Sequence, residues 1–233
     1  LLGAWLGDGN AHTNRFTTMD TEIVKAFTEW AEQFYGGGVE ECRQQHSGKA
    51  KTYQLVHTPF RRMLKDLGVL KDSRYDETRN NVKRIPEIYL RGSFEQRLDL
   101  IRGLMDTDGC IDKQGNAIFC NSEPMLVETF ALLVESLGGK PNVNWTQPDV
   151  SKFKHARPHA HVTFALPYCP VSLESKVRRW KMAPSYWERQ AIVAIREIPV
   201  EPMRCLTVAA DDELYCCGRR LTLTSNTATG ATL

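Results

Sequence analysis

Two aspartates in matching surroundings, one near the start of the chain and one near its middle, are the residues best suited to do chemistry. Asp8 and Asp108 end the stretches Leu1-Leu2-Gly3-Ala4-Trp5-Leu6-Gly7-Asp8-Gly9 and Ile101-Arg102-Gly103-Leu104-Met105-Asp106-Thr107-Asp108-Gly109. Both stretches are apolar helical runs with a glycine after the acid and a glycine at the same place, Gly3 and Gly103, where Gly103 lets two helix backbones approach closely. Because the helix dipole disfavours a carboxylate at a helix C-terminus, two such tips indicate a compensating cation. If the helices pack side by side, the two carboxylates form a site for Mg²⁺.

Both stretches resemble the LAGLIDADG motif of homing endonucleases, and the second is the nearer match. The first copy departs from the motif, with Leu6 in place of its first acid and Gly7 in place of its second small residue. The resemblance implies that Asp8 and Asp108 are the catalytic, metal-binding acids, with Gly7 and Thr107 as further metal-binding residues. It also implies two or more divalent ions shared by the two tips, Mg²⁺ first and Mn²⁺ as an alternative.

The resemblance further implies a catalytic lysine in each half of the chain. Val82-Lys83-Arg84-Ile85-Pro86-Glu87 is similar to the Lys-x-Ile-Pro element of the family, which points to Lys83. The stretch from Pro170 to Lys176 is similar to the matching region of the second half, which points to Lys176, with Lys181 as the alternative. Such a lysine polarises the attacking water or stabilises developing charge. The competing interpretation is a surface lysine on a basic helix.

The predicted elements recur after about 100 residues, and such a repeat fixes the architecture. Each half is predicted to run helix, two strands, helix, two strands, helix. One helix is expected from Asp20 as N-cap to about Tyr35, and another from Ser122 as N-cap to Leu137. In the first of these helices, the residues at helical spacing that should face the core are Ile23, Ala26, Phe27, Trp30 and Phe34. The predicted fold class is α+β: a pseudo-two-fold tandem repeat of two αββαββα halves, 1–91 and 92–189, with paired saddle-shaped antiparallel sheets.

A pair of curved sheets around a two-fold axis is suited to double-stranded DNA, because strands in the major groove can bring side chains to base edges. We therefore expect one chain, as a monomer, to bind a long pseudo-palindromic or asymmetric DNA target. The alternative is an ordinary solvated sheet face, and a zinc site at His155, His159 and His161 is a further alternative. The predicted DNA contacts are Asn10, His12, Asn14, Arg15, Arg43, Gln45, Lys49, Lys51, Gln54, Arg61, Lys113, Asn116, Asn121, Asn144, Lys152, Lys154, Arg157 and His159.

The C-terminal part of the chain shows a different pattern, of short strands joined by polar turns. The order of these strands resembles the C-terminal splicing blocks of an intein, over 190–226, with 227–233 as an extein tail. Asn226 stands where inteins cyclise an asparagine, and Thr227 stands where the first extein nucleophile follows. Ser225 replaces the usual assisting histidine, and Ala209 replaces an acid. The N-terminal splicing half is absent, so we expect no splicing by this chain alone.

Composition narrows the class of protein. The 233 residues are 42% hydrophobic and 25% charged, with a formal net charge of only +2, which is typical of a globular protein. No apolar run approaches the roughly 18 residues of a membrane span, and no signal peptide precedes Leu1, so we expect an intracellular protein (cytoplasm or nucleoid) that belongs to a longer chain. Seven cysteines without a Cys-x-x-Cys pair indicate reduced thiols.

The leading functional prediction is a site-specific, divalent-metal-dependent double-strand DNA homing endonuclease derived from an intein. It would hydrolyse phosphodiester bonds on both strands. Two alternatives stand beside it: a catalytically inactive DNA-binding module of the same fold, and the C-terminal part of a protein-splicing intein.

Overall fold

A computed structural model describes residues 1–43, 49–70, 83–148, 157–182, 194–197, 199–200, 202, 204, 206–217 and 222–225. The protein has a mixed α+β fold with antiparallel sheets. Its helices are α1 (Leu2–Asp8), α2 (Thr21–Tyr35), α3 (Phe60–Asp66), α4 (Glu87–Leu90), α5 (Phe94–Asp108), α6 (Pro124–Ser136) and α7 (Glu174–Val177). Its strands are β1 (Arg15–Thr18), β2 (Gly38–Glu41), β3 (Lys51–Val56), β4 (Gly109–Ile111), β5 (Ala117–Asn121), β6 (Asn142–Thr146), β7 (His159–Phe164), β8 (Leu214–Cys217) and β9 (Thr222–Ser225).

Helices α1 and α5 lie against each other with their backbones in direct contact. A Cβ atom added to Gly103 would lie 2.7 Å from the Ala4 nitrogen, and one added to Gly3 would clash with the Leu100 carbonyl oxygen. Glycine on both helices at the crossing allows this close approach of the two backbones. Leu6, Ile101 and Leu104 are fully buried beside this contact, so the helix pair lies in the centre of the core.

Each of the two large sheets packs its inner face on helices and leaves the other face open. The first sheet has the strand order β1-β3-β2 and the second has the order β4-β5-β7-β6. In β7, Ala160, Val162 and Phe164 are buried and alternate with half-buried His159, His161 and Thr163, as expected for a sheet covered on one face.

The prediction of four strands in each half is wrong for the first half within the described residues. The counterpart of β4 is a single bridge between Gly9 and Phe16. After this bridge the chain turns at once, because the Asn10 carbonyl accepts from the Thr13 amide and the Asn10 side chain accepts from the His12 amide. The backbone groups of this segment therefore serve the turn instead of a longer strand ladder.

The predicted helices are found, with shifts at their ends. Asp20 is confirmed as the N-cap of α2. Helix α5 ends at Asp108, as the acidic tip of the second motif predicts, and begins with a capping box formed by Ser93 and Gln96. Helix α6 has Glu123 instead of Ser122 as its N-cap. Helix α7 begins only at Glu174, because the amides of Ser172 and Leu173 just before it are bound by Asp106 of α5.

One stripe of α2 is buried, and it is narrower than predicted. Ile23 and Phe27 are buried, and the Phe27 ring stacks on Phe16 with centroids 4.3 Å apart. Ala26 is exposed, and Phe34 is 62% exposed, so the prediction that they face the core is wrong. The three-stranded sheet covers only one side of this helix, which leaves its outer positions in solvent.

In the tail, β8 and β9 pair antiparallel, with Leu214 opposite Ser225. Over the described residues of 194–210 the backbone forms no strand, unlike the prediction. Asn226 and Thr227 lie outside the described residues. Across the described ranges, no helix combines the length and the apolar character that crossing a membrane requires.

Candidate active site

The two predicted acids are the last residues of α1 and α5, and the packing of these helices brings them to one place. A Cβ atom on Gly7 would lie 3.4 Å from the Asp108 carboxyl carbon and would clash with the Thr107 side chain. The glycine before Asp8 thus lets the end of α5 lie directly against the end of α1. Gly7 of the first motif and Asp108 of the second motif are therefore in direct contact.

Burial makes both carboxyl groups harder to ionise than usual. Burial, followed by the charge of Asp108, raises the pKa of Asp8 to about 6. Burial also raises the pKa of Asp108, against the opposing effect of a hydrogen bond from the Asn121 side-chain amide, 2.6 Å from Oδ2. Two half-buried carboxyl groups that repel each other are stabilised by a cation between them.

The two predicted lysines each lie at the end of one of these helices. Lys83 Nζ donates to the Gly7 carbonyl oxygen at 2.8 Å. Lys176 Nζ donates to the carbonyl oxygens of Met105, Asp106 and Gly109, each at 2.7 Å. Both ammonium groups therefore complete helix C-termini whose carbonyls lack partners within the helix.

Burial lowers the pKa of both lysines, and nearby carboxylates oppose that effect. For Lys83 the opposing groups include Asp108 and Asp8, and for Lys176 the largest opposing charge is Asp106. The alternative lysine, Lys181, lies elsewhere, because its side chain packs on Gly115 and its amide donates to the Gly115 carbonyl. Of the two candidates in the second half, Lys176 is therefore the one at the paired acids.

Sequence reasoning did not identify Trp5 or the contact made by Asn121. The fully buried Trp5 ring lies under Lys83, with Nζ 5.7 Å from its centroid, an arrangement that favours the charged ammonium. Asn121 was predicted as a DNA contact, but its amide donates to Asp108. The contact follows from the position of Asn121 at the end of β5, beside the end of α5, and that position depends on how the strands pair.

The donor set suits a hard divalent cation. Among the described residues no three His, Cys, Asp or Glu side chains converge, so a cation here would have the two carboxylates as its side-chain ligands. Mg²⁺ is commonly held by one or two carboxylates, with water and phosphate oxygens completing its shell. The Gly7 carbonyl accepts from Lys83, and the Thr107 hydroxyl donates to the carbonyls of Gly103 and Leu104. Both the Gly7 carbonyl and the Thr107 hydroxyl are thus already engaged in hydrogen bonds within the protein.

The open face of the first sheet carries part of the predicted DNA contacts. Arg15 and Gln54 are register partners on this face, with Arg15 Nε 2.9 Å from Gln54 Oε1. Lys51 alternates with them onto the other side of β3, where it pairs with Glu41 at 2.8 Å. Asn14 is buried, and its amide donates to the Leu55 carbonyl at 2.6 Å, so the expectation of a surface side chain is wrong there.

The open face of the second sheet is polar without Lys, Arg, Asp or Glu on its strands. Asn144, His161 and Cys120 lie side by side across β6, β7 and β5, and Cys120 Sγ is 3.3 Å from His161 Nδ1. His159 lies on the same face, with its ring centroid 5.0 Å from that of His161. His155 lies outside the described residues, and within them no three His, Cys, Asp or Glu side chains are arranged to hold a metal ion, so nothing here adds to the zinc alternative.

The other predicted DNA contacts divide into exposed side chains and residues outside the described ranges. Arg157 lies 3.8 Å from Glu123, and the Asn116 amide donates to Asp112. Gln45, Lys152 and Lys154 lie outside the described residues. Exposed side chains are Asn10, His12, Arg43, Lys49, Arg61, Lys113, Asn116 and Arg157.

The raised pKa of Asp8 gives a testable pH dependence of stability. Between its ordinary value of 3.8 and about 6, the folded protein binds this proton more tightly than the unfolded chain does. The contribution to stability is therefore fully present below pH about 4 and is lost as the pH rises through about 6. In metal-free buffer we expect wild type to lose about 1–2 kcal/mol more than Asp8→Asn between pH 4 and 7, allowing for solvent screening. Urea unfolding at each pH measures this, and parallel curves for the two proteins would contradict it.

No family model matches the chain. Among solved structures it is similar to mesophilic variants of the homing endonuclease I-DmoI, with a TM-score of 0.46 and 13% identity over 76% of this chain and 89% of that one. For I-DmoI in complex with DNA and Mn the TM-score is 0.43 and the identity 14%, over the same shares of the two chains.

A curated protein also matches almost the whole chain. The chain is 27% identical over 240 residues to the replicative DNA helicase DnaB of Mycobacterium intracellulare. The match covers 98% of this chain and 35% of the helicase. The chain thus spans about a third of the length of the helicase to which it is similar.

Proposed function

We propose that this chain is a site-specific, divalent-metal-dependent homing endonuclease that hydrolyses phosphodiester bonds on both strands of duplex DNA. One observation carries the proposal: Asp8 and Asp108 meet at the ends of two helices whose backbones touch, with Lys83 and Lys176 at those same helix ends. Paired acids and paired ammonium groups, one of each per helix, match the needs of two hydrolytic events on two strands. The resemblance of both helices to the LAGLIDADG motif agrees with this.

In the proposed mechanism the side chains of the site divide the work. Asp8 and Asp108 would hold two or more Mg²⁺ ions, or Mn²⁺, which when bound supply a Lewis acid for the phosphate and activate water. Asn121 orients the Asp108 carboxylate through its hydrogen bond to Oδ2. Lys83 and Lys176 offset negative charge that develops on phosphate oxygens. Because Lys176 makes three bonds to backbone carbonyls, we assign it an electrostatic role.

The proposed DNA surface is the pair of open sheet faces. We interpret 1–91 and 92–189 as two halves of a tandem repeat, because the strand order bridge-β1-β3-β2 corresponds to β4-β5-β7-β6. Two halves in one chain fit a monomer that binds a long pseudo-palindromic or asymmetric target. Sedimentation of the free protein and of the DNA complex tests this, and an obligate dimer would contradict the proposal.

A cleavage selection on a randomised DNA library tests the proposed activity directly. The purified chain is incubated with the library in Mg²⁺ or in Mn²⁺, and cut molecules are captured and sequenced. We expect one cut sequence family and no cleavage with a chelator. The inactive DNA-binding module remains the second candidate, and the retention of both acids argues against it. Enrichment of bound but uncut DNA would favour that second candidate.

DNA affinity is expected to fall steeply as the salt concentration rises. Arg15, Arg43, Lys49 and Arg61 are exposed basic side chains in the first half, and each phosphate contact releases condensed counterions on binding. With roughly six to ten phosphate contacts, the affinity should drop about 10³-fold to 10⁵-fold between 50 and 200 mM salt. Fluorescence anisotropy with a labelled target measures the slope. An affinity that does not change with salt would contradict the proposed surface.

We also propose that the endonuclease derives from an intein. The supporting observations are the tail pattern that ends in Asn226-Thr227 and the match of nearly the whole chain to about a third of a DnaB helicase. An endonuclease carried within a splicing element accounts for both. In this interpretation 190–226 is the C-terminal splicing segment and 227–233 is the start of the host sequence.

The tail proposal gives a prediction that is independent of DNA cleavage. When a separately produced N-terminal splicing half is added, the peptide 227–233 should be released from the wild-type chain and not from Asn226→Ala. Ser225→His should speed the release, because an imidazole transfers protons near neutral pH better than a hydroxyl. Mass spectrometry follows the peptide. Equal release from Asn226→Ala would refute the intein interpretation, and unchanged DNA cleavage by that variant serves as the control.

A further inference from the structure

Asp106, the remaining acid of the second motif, is buried and is bound to backbone amides of another segment. It is 8% exposed, and its Oδ1 accepts from the backbone amides of Ser172 and Leu173 at 2.9 and 3.1 Å. Its carboxylate therefore faces the backbone just before α7, the short helix that carries Lys176. An acid committed to two backbone amides in the core holds a segment in place, since leaving either group unpaired would be costly.

The bonds around Asp106 form a closed ring. Its side chain binds the Leu173 amide, the Leu173 carbonyl accepts from the Lys176 amide at 2.9 Å, and Lys176 Nζ returns to the Asp106 carbonyl at 2.7 Å. Val171 and Leu173 are buried on either side of exposed Ser172, so the same segment is also fixed by packing. The position of the Lys176 ammonium thus depends on the Asp106 carboxylate.

The first half holds its lysine by different contacts. Leu6 stands at the position that matches Asp106, so the first motif offers no carboxylate there to the segment that carries Lys83. That segment is held instead by the Ile85 amide, which donates to Thr129 Oγ1 at 3.1 Å, and by the Trp5 ring beneath Lys83. The two lysines are therefore positioned by separate residues, and each can be released without the other.

We infer that Asp106 is the positioning residue of Lys176 and that its loss slows cleavage of one DNA strand selectively. The inference rests on the proposed endonuclease function for its strand effect, whereas the link between Asp106 and Lys176 stands on geometry alone. The affected strand is the one whose nicking is reduced by Lys176→Met. The strand that depends on Lys83 should be cut at nearly the wild-type rate.

Lysine acetylation tests the link without DNA. The folded chain is treated briefly with an acetylating reagent, and each lysine is quantified by mass spectrometry. In Asp106→Ala, Lys176 should react about tenfold faster than in wild type, while Lys83 is unchanged, because a lysine freed from its three carbonyls becomes accessible. Asp106→Asn keeps an Oδ1 acceptor and should restore protection. Thr129→Val is the matched control. It removes the buried Oγ1 that accepts from the Ile85 amide on the Lys83 side, so Lys176 should stay protected in this variant. Unchanged Lys176 reactivity in Asp106→Ala would overturn the inference.

Strand-resolved nicking with end-labelled target DNA tests the consequence. Asp106→Ala should slow nicking of the Lys176-dependent strand at least tenfold and the other strand less than twofold, with unchanged DNA affinity. The double variant with Lys176→Met should be no slower than Lys176→Met alone, as expected for residues that act as a unit. Equal slowing of both strands would overturn the inference. If wild type cuts no DNA at all, the proposed function is wrong, and the acetylation result still decides the link.

Discussion

Asp8→Asn or Asp108→Asn is expected to abolish DNA cleavage while leaving the fold and DNA binding intact. Each change removes one of the two carboxylates that meet at the ends of α1 and α5, and with it the charge that would hold the metal ions. We expect at least a 10³-fold loss of cleavage rate, the scale at which removal of an essential electrostatic group acts. Nicking assays at saturating Mg²⁺ measure it, and anisotropy measures the retained affinity.

The same variants have an opposite effect on stability. The charges of Asp8 and Asp108 repel each other in a half-buried site, so removing one should raise the free energy of unfolding at pH 7 without metal by about 1 kcal/mol. Mg²⁺ should stabilise the wild type and not the variants. Asp99→Asn, an exposed change on the same helix, is the control and should alter neither property. Full cleavage by either acid variant would refute the two-carboxylate site.

Gly103→Ala and Gly3→Ala are expected to destabilise the protein strongly, against the usual preference of helices for alanine. In an ordinary helix this change gains up to about 1 kcal/mol. Here the new Cβ would lie 2.7 Å from the Ala4 nitrogen in the first case and would clash with the Leu100 carbonyl in the second. Backbone atoms cannot yield as side chains do, so we expect a loss of about 2–4 kcal/mol and a fall in melting temperature of roughly 5–15 °C.

Thermal unfolding followed by circular dichroism measures this effect. Gly38→Ala is the matched control, because a Cβ on Gly38 would meet nothing within 4 Å. In the glycine variants that still fold, cleavage should fall as well, since separating α1 from α5 separates Asp8 from Asp108. A melting temperature equal to that of wild type in both helix variants would show that the two backbones are not in contact.

Local patterns in the sequence determined which residues meet at the centre of the protein. Glycines at matching positions in two apolar helices predicted the close crossing, and the acid at each helix end predicted the paired carboxylates. The N-cap at Asp20 could also be predicted from local sequence, because helix caps and helical periodicity depend on residues within a few positions of each other. Lys83 and Lys176 were predicted through resemblance to a known motif and not from such local physics.

Tertiary structure decided which side chains face outward and which contact the site. Asn14 and Asn121 are polar residues next to or in strands, yet one binds the Leu55 carbonyl in the core and the other binds Asp108. Lys51 lies on the side of β3 away from Arg15, because strand register assigns alternate residues to opposite faces. Asp106 contacts Ser172 and Leu173, which follow it in the chain by 66 and 67 positions. These contacts depend on how segments far apart in the chain pack together, and local sequence patterns do not predict that packing.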